Sequence, residues 1–271
     1  MGDRTLRHWL IGVPLALVLL LAVIGPLVTV VLWAFAERWR YPALLPNEWG
    51  LRFWPVTLGR PDVQGALPTS LALATTVTLL AAAICLPAAY AFARMRFPGR
   101  EALLLSFVAT QAFPRFALYV MVAVIFLSLG LVGTFQGVVL IQLVSALLYM
   151  IWIPTAAFRG IDRRLEEAAL DVGASPRQVF LHVTLPQAAP AIGAALLLTF
   201  VNTFYETEGA LLIGVPTVRT MPVVMISLVT EQLVVQYGAV LSVLLWVPSL
   251  VLLVIARRVL DTRTLAAGLG V

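Results

Sequence analysis

The sequence predicts an all-α membrane protein with six transmembrane helices. Composition comes first: of 271 residues, 61% are hydrophobic and only 11% are charged. A soluble domain of this length carries roughly 25% charged residues. Mean hydropathy, at +1.00, agrees. Spacing comes second. A helix needs about 20 apolar residues to cross the hydrocarbon core. Runs of that kind recur at about 9–35, 67–93, 102–129, 134–158, 190–213 and 237–256. No internal repeat, low-complexity tract or soluble module interrupts them, so residues 1–271 read as one transmembrane domain.

The first run follows Arg4 and Arg7, as a signal peptide would. Its apolar stretch is too long for such a leader and no cleavage site stands out, so it is expected to remain as a helix. Orientation follows from arginine, which supplies all 18 basic residues. The loops with Arg4, Arg7, Arg94, Arg96, Arg100, Arg159, Arg163, Arg164, Arg177, Arg257, Arg258 and Arg263 outweigh those with Arg38, Arg40, Arg52, Arg60 and Arg219. The richer side is cytoplasmic by the positive-inside rule, which places both termini and the 159–189 connection inside. The pI near 10.0 therefore reflects topology and implies no nucleic-acid partner.

Between the first two runs, Trp39, Trp49 and Trp54 suit a membrane–water boundary or a docking surface for an external partner. The Pro-broken stretch after the fifth run is expected to return as a short helix in the outer interface. Cys85 lies in an apolar run and reads as a small buried hydrophobe. His8 and His182 are far apart and no cysteine pair exists, so no metal site is expected. No Walker phosphate loop, H-E-x-x-H or G-x-S-x-G occurs, which excludes catalysis by those chemistries within this chain.

One polar island stands out, "EEAALDVGASPRQVFLHVTLPQAAP" at 166–190. Asp162 suits an N-cap, and Leu165, Ala168, Ala169 and Val172 recur on one helical face. Two alanines keep that face low, so another surface can approach it. Gly173 falls where a left-handed C′ residue is wanted. Ser175, Pro176 and Gln178 then spell a capping box with proline at the first helical position. Val179, Phe180 and Val183 form the stripe of a second short helix, which Leu185–Pro186 ends before Pro190 opens the next span. Glu166 and Glu167 are expected to point outward. From these residues alone, docking to another protein and packing within this chain both remain open.

Ionisable residues inside a bilayer are costly, about 2.5–3.5 kcal/mol for a central arginine on the insertion scale. Arg115 sits mid-run beside the helix-breaking Pro114. Asn202, Tyr205 and Glu206 fall on one face of the expected fifth helix. These four are candidates for a polar translocation path. An Arg115–Glu206 pair holding two helices together is the structural alternative.

The spacing Glu167-Ala168-Ala169, three residues, Gly173, nine residues, Val183, one residue, Leu185-Pro186 resembles the EAA loop of permeases of binding-protein-dependent ABC importers. Val183 stands where that family's pattern has isoleucine. The resemblance implies a type I (MetI-like) permease fold in a bacterial cytoplasmic (inner) membrane. It implies that Glu166, Glu167, Ala168, Ala169, Asp171, Gly173, Leu185 and Pro186 meet an ATP-binding subunit. That subunit, as a dimer, would hold ATP and magnesium, and this chain would bind no cofactor. A second permease subunit, expected to be a different chain, an extracytoplasmic binding protein and lipid would be the other partners. The segment "TFYETEGALLIGVPTVRTMPVVM" is similar to the second permease component of spermidine/putrescine-type importers more than to the sugar type. Acidic path residues favour a cation; Arg115 favours an anion or polyol, so a sugar substrate stays open. A stand-alone secondary transporter would need inverted repeats or a proton relay, which the sequence lacks. The closing "TLAAGLGV" is expected as a short tail, disordered or touching the ATP-binding subunit.

Overall fold

Helix α6, Phe135–Gly160, is the central element. In its apolar window 56% of residues are buried within the chain, against none for α1, Gly2–Ala34. The computed structural model describes residues 2–109 and 112–259; the C-terminal tail and residues 110–111 lie outside the described residues. Within that range the chain forms two compact units. One comprises Met1–Gln64 and Val224–Val247, the other Gly65–Val223 and Pro248–Val271.

In the first unit α1 leads into a two-stranded antiparallel pair, β1 (Ala36–Arg38) and β2 (Glu48–Trp49), and a short α2 (Phe53–Leu58). These strands depart from the all-α expectation. They close the excursion locally: Gly50 N–H donates to the Phe35 carbonyl at 3.0 Å, and Arg38 pairs with Glu48. Two tryptophans fasten this segment by their indole N–H groups, Trp54 to the Ala34 carbonyl and Trp39 to that of Ala43. Ala34, Ala239 and Val240 form the small core beneath, with Ala239 and Val240 supplied by α11, Val235–Val259.

The second unit packs α3 (Pro61–Arg94), α4 (Arg100–Ala109), α5 (Arg115–Ser128) and α9 (Leu185–Phe204) around α6. Its main core interleaves Leu73, Val77 and Cys85 of α3 with Val138, Ile141 and Met150 of α6. Small residues at Ala81, Ala146 and Ala195 let the helices approach closely, as membrane helix interfaces favour.

Among the described residues, five helices are long and apolar enough to cross a membrane: Val13–Ala34 of α1, Pro61–Arg94, Phe135–Gly160, Pro176–Phe204 and Val235–Leu252. The expected third crossing, 102–129, is not one helix. It divides into α4 and α5, and Pro114 stands as the extended N-cap of α5 at ψ 118°. Proline lacks the N–H an uninterrupted helix would need there. The expected fifth crossing is shifted as well. It begins before Pro190 and ends at Phe204, not at residue 213. A separate π-helical turn, Ala210–Gly214, follows the break. The stretch beyond contains a short helix, α10 (Met221–Gln232), with Met221, Val223, Val224 and Leu228 buried in the protein.

Two glycines test this packing. A Cβ on Gly137 of α6 would sit 2.2 Å from the Leu131 carbonyl oxygen, whereas one on Gly25 of α1 meets nothing within 4 Å. Gly137→Ala is therefore expected to lower stability by about 1–3 kcal/mol, the usual overpacking cost. Gly25→Ala should lose nothing. Thermal unfolding of both variants in detergent micelles checks the contrast.

Candidate functional site

The 161–189 connection is built by local signals. Asp162 caps α7, Arg163–Asp171, by accepting the Arg164 N–H at 3.0 Å. The chain then turns at Gly173, whose φ is +91°. No neighbour lies within 4 Å of a Cβ placed there, so backbone conformation alone requires the glycine. Ser175 and Gln178 form both bonds of a capping box at the start of α8, Pro176–Val179.

From α8 onward the structure departs from the expected pair of short helices. Leu185–Pro186 does not end the second one. Pro176–Phe204 runs on as a single 29-residue helical element through a π-helical turn, Phe180–Thr184. Leu185 N–H reaches back five residues to the Phe180 carbonyl. The wider turn absorbs Pro186, which has no N–H to offer.

None of α7's residues is buried. Leu165 is 49% and Val172 85% exposed, so the predicted apolar face is left open. Glu167, Ala168 and Asp171 are exposed and Ala169 is half-buried. An open groove of about 360 Å³ runs between α7 and α8, lined by Ala169, Val172, Gly173, Gln178, Val179 and Val183. Glu166 does not point outward as expected. Its Oε1 accepts from Arg94 Nη2 at 3.0 Å and from Thr184 Oγ1 at 2.7 Å. The two charged side chains are 9% and 14% exposed. Breaking one partner of such a pair costs about 3–5 kcal/mol, because the other charge is left buried. Leu185 is half-buried and packs toward Ala89, Phe158 and Ile192, whereas Pro186 is exposed. No local pattern points to Arg94 or Thr184 in this role, since Arg94 lies 72 residues from Glu166.

At the other end of α9, the structure brings the four path candidates together. Arg115, Asn202, Tyr205 and Glu206 line one cleft of about 370 Å³ with Thr207 and Glu208. They do not share a helical face, because α9 stops at Phe204. Tyr205 lies at its C-cap, and its hydroxyl bonds Ser249 Oγ at 2.8 Å. Glu206 turns inward and is 9% exposed. Oε1 accepts the Gly209 N–H at 2.7 Å. Oε2 accepts the Ala210 N–H at 3.2 Å and Gln142 Nε2 at 2.9 Å. Glu206 thus caps the turn that follows the helix break and ties it to α6. Among the described residues it makes no ion pair with Arg115. Gln142, 1% exposed, escaped the sequence reading although it is a polar residue inside an apolar run.

Several long apolar helices, with an open helical connection before a continuous span, mark a multi-pass membrane protein. The model of the family "Binding-protein-dependent transport system inner membrane component" matches residues 83–265, which include both the connection and the cleft. The chain belongs to that family and is an inner-membrane permease of the ABC importer class. It is 29% identical over 210 residues to the maltose/maltodextrin transport system permease protein MalG of Vibrio vulnificus, covering 70% of this chain and 71% of that one. It is 30% identical over 210 residues to the trehalose transport system permease protein SugB of Mycobacterium tuberculosis, covering 74% and 73%. A crystal structure of a bacterial alginate ABC transporter, in complex with an alginate pentasaccharide-bound periplasmic protein, shares the fold. Its TM-score is 0.72 at 16% identity, over 97% of this chain and 99% of that one.

The hydrogen bonds at the cleft converge on Glu206. Glu206→Ala would leave two backbone N–H groups and Gln142 without their acceptor. It is expected to lower stability by about 3 kcal/mol, on the scale of hydrogen bonds to a charged group. Arg115→Ala should cost well under that. Denaturant titration of the two variants in micelles gives the comparison.

Proposed function

We propose that residues 1–271 form a single transmembrane permease domain supplying one half of the translocation pore of an ATP-driven importer. Six crossings, with the α4–α5 pair serving as the third, would leave both termini cytoplasmic. The open groove between α7 and α8 then faces an ATP-binding subunit. The carrying observation is that the Glu167-Ala168-Ala169…Gly173 spacing falls on an exposed helix with a left-handed glycine turn. Glu167 and Asp171 supply acidic contacts, and Ala168 and Ala169 permit close approach. Pro186 is the exposed end of the motif. Leu185 acts from within, through its packing, and Glu166 through its bonds to Arg94 and Thr184. ATP and magnesium belong to the partner ATPase dimer, and this chain holds no cofactor. A second permease, of a different sequence, completes the pore, and an extracytoplasmic binding protein delivers the solute. Closure of the ATPase pair would move α7, and the spans would alternate between inward- and outward-facing states.

The substrate class we favour is a neutral polyhydroxylated solute, a sugar or polyol. Two relatives carry names of maltose and trehalose systems. The cleft is compatible with that class in the side chains it leaves open. Of its two carboxylates, Glu206 has its oxygens occupied by Gly209, Ala210 and Gln142, so Arg115 and Glu208 are the charged side chains left to meet a solute. That suits hydroxyl groups better than the multiple positive charges of a polyamine, which the similarity of the 203–225 segment had suggested.

Two experiments follow. In proteoliposomes holding the whole importer, Glu167→Ala and Gly173→Val should each cut transport by about tenfold, a typical coupling energy. The chain should still insert and fold. Normal transport by both variants would refute the coupling role. Separately, uptake of labelled disaccharide and labelled spermidine is compared in the wild-type complex. Sugar uptake is expected; uptake of spermidine alone would reverse the substrate reading.

A further inference from the structure

Helix α7 poses a mechanical problem. A docked partner can drive the membrane spans through α7 only if α7 moves with them. Yet none of its residues is buried, and its apolar face is open. Packing therefore does not fix it to the body of the unit.

Polar contacts converge on one side chain instead. Glu166 Oε1 receives Arg94 Nη2 and Thr184 Oγ1, the first from the last residue of α3 and the second from the end of the π-helical turn that leads into α9. The same Arg94 Nη2 also donates to the Ile161 carbonyl at 3.1 Å, at the C-cap of α6. Arg163 Nη2 closes the loop by donating to the Arg94 carbonyl at 3.3 Å. Thr184 is fully buried, so its hydroxyl has no water to turn to. Beneath lies an aromatic group from the same three elements: Tyr90 of α3 meets Phe158 of α6 edge-on at 5.5 Å and Phe180 of the π turn at 5.0 Å. The ends of α3, α6 and α9 are thus bound to each other, and α7 joins them through Arg163, which reaches α3 alone, and through Glu166, which reaches both α3 and the turn that leads into α9.

We infer that Glu166 is a positioning residue that locks α7 to α3 and α9 through Arg94 and Thr184, so that a displacement of α7 is delivered to both spans. This rests on the importer reading above and goes beyond it. It assigns Glu166 to the inside of the lever, where Glu167 next to it serves the docking face. An ionised carboxylate suits the task because one oxygen accepts from a guanidinium and a hydroxyl together, and such charge-assisted bonds are short and directional.

The test uses two readouts. The first is the motion of a spin label at Arg164→Cys in a Cys85→Ala background, in the chain alone in micelles. The second is solute transported per ATP hydrolysed, together with ATPase co-purification, in the reconstituted complex. Glu166→Ala is expected to free the label and to cut transport per ATP by about tenfold, on the scale of coupling between linked sites. ATPase co-purification should not change. Thr184→Val, which removes one of the two ties and keeps the charge pair, should give a smaller effect in the same direction. Glu166→Gln, which keeps an acceptor, should fall between Glu166→Ala and the wild type. A label as immobile in Glu166→Ala as in the wild type would overturn the proposal. So would unchanged transport per ATP, or loss of the ATPase from the Glu166→Ala and Thr184→Val complexes alike. A wild-type chain that retains no ATPase would instead refute the importer reading, and the label measurement would still judge the lock.

Discussion

A peptide group inside a bilayer has no water to bond, so each break in a membrane helix must be repaired from within the protein. That constraint accounts for where the unusual residues of this chain fall. At the head of α9 the repair is a change of pitch: Leu185 bonds back to Phe180 and the turn closes around Pro186. At the foot of α9 it is a carboxylate. Glu206 receives the Gly209 and Ala210 N–H groups just past the helix end, and Gln142 holds it against α6. At the start of α6 it is a cap, with Thr134 accepting the Gly137 N–H. Near that cap, Gly133 N–H donates to the Ile213 carbonyl at 2.6 Å, joining the start of α6 to the second π turn.

Two of those repairs lie at the ends of one element, one beside the groove and one beside the polar cleft. Pro176–Phe204 is continuous over 29 residues. At a rise of 1.5 Å per residue that is about 43 Å, enough to traverse the hydrocarbon core with a tilt. Its first turns form one wall of the groove beside α7, and its last residues reach the polar cleft. One continuous helical element thus runs from the groove beside α7 to the polar cleft, and in the proposed importer it is the mechanical link between them. The link needs no pathway of side chains, only that the head of the helix be held to whatever moves it.

How much of this could be read in the sequence depended on the range of each interaction. The α7–α8 connection was legible because its signals are local. Asp162, Gly173 and the Ser175–Gln178 box act on backbone within a few residues, and all of them form as expected. The division of the third run was hinted at by Pro114, yet composition made it look like one span. The four path candidates line one cleft, but not by the expected geometry. A helical face was assumed for Asn202, Tyr205 and Glu206, whereas the break after Phe204 brings them together. The inward turn of Glu166 was invisible, because it depends on Arg94 at the end of a distant helix. The continuity through Leu185–Pro186 was hidden for another reason: proline reads as a stop in an i to i−4 ladder, and nothing in the residue types announces a five-residue step.

The central claim is that the open face beside α7 is where an ATP-binding subunit sits. Cysteine cross-linking in the assembled complex tests it most directly, since the native Cys85 is fully buried and silent. A thiol at Val172→Cys, on the rim of the groove, should form a covalent adduct with the ATPase subunit. A thiol at Leu103→Cys, an exposed position on α4, should not. An adduct at Leu103 and none at Val172 would contradict the account and place the energy-coupling surface elsewhere on the chain.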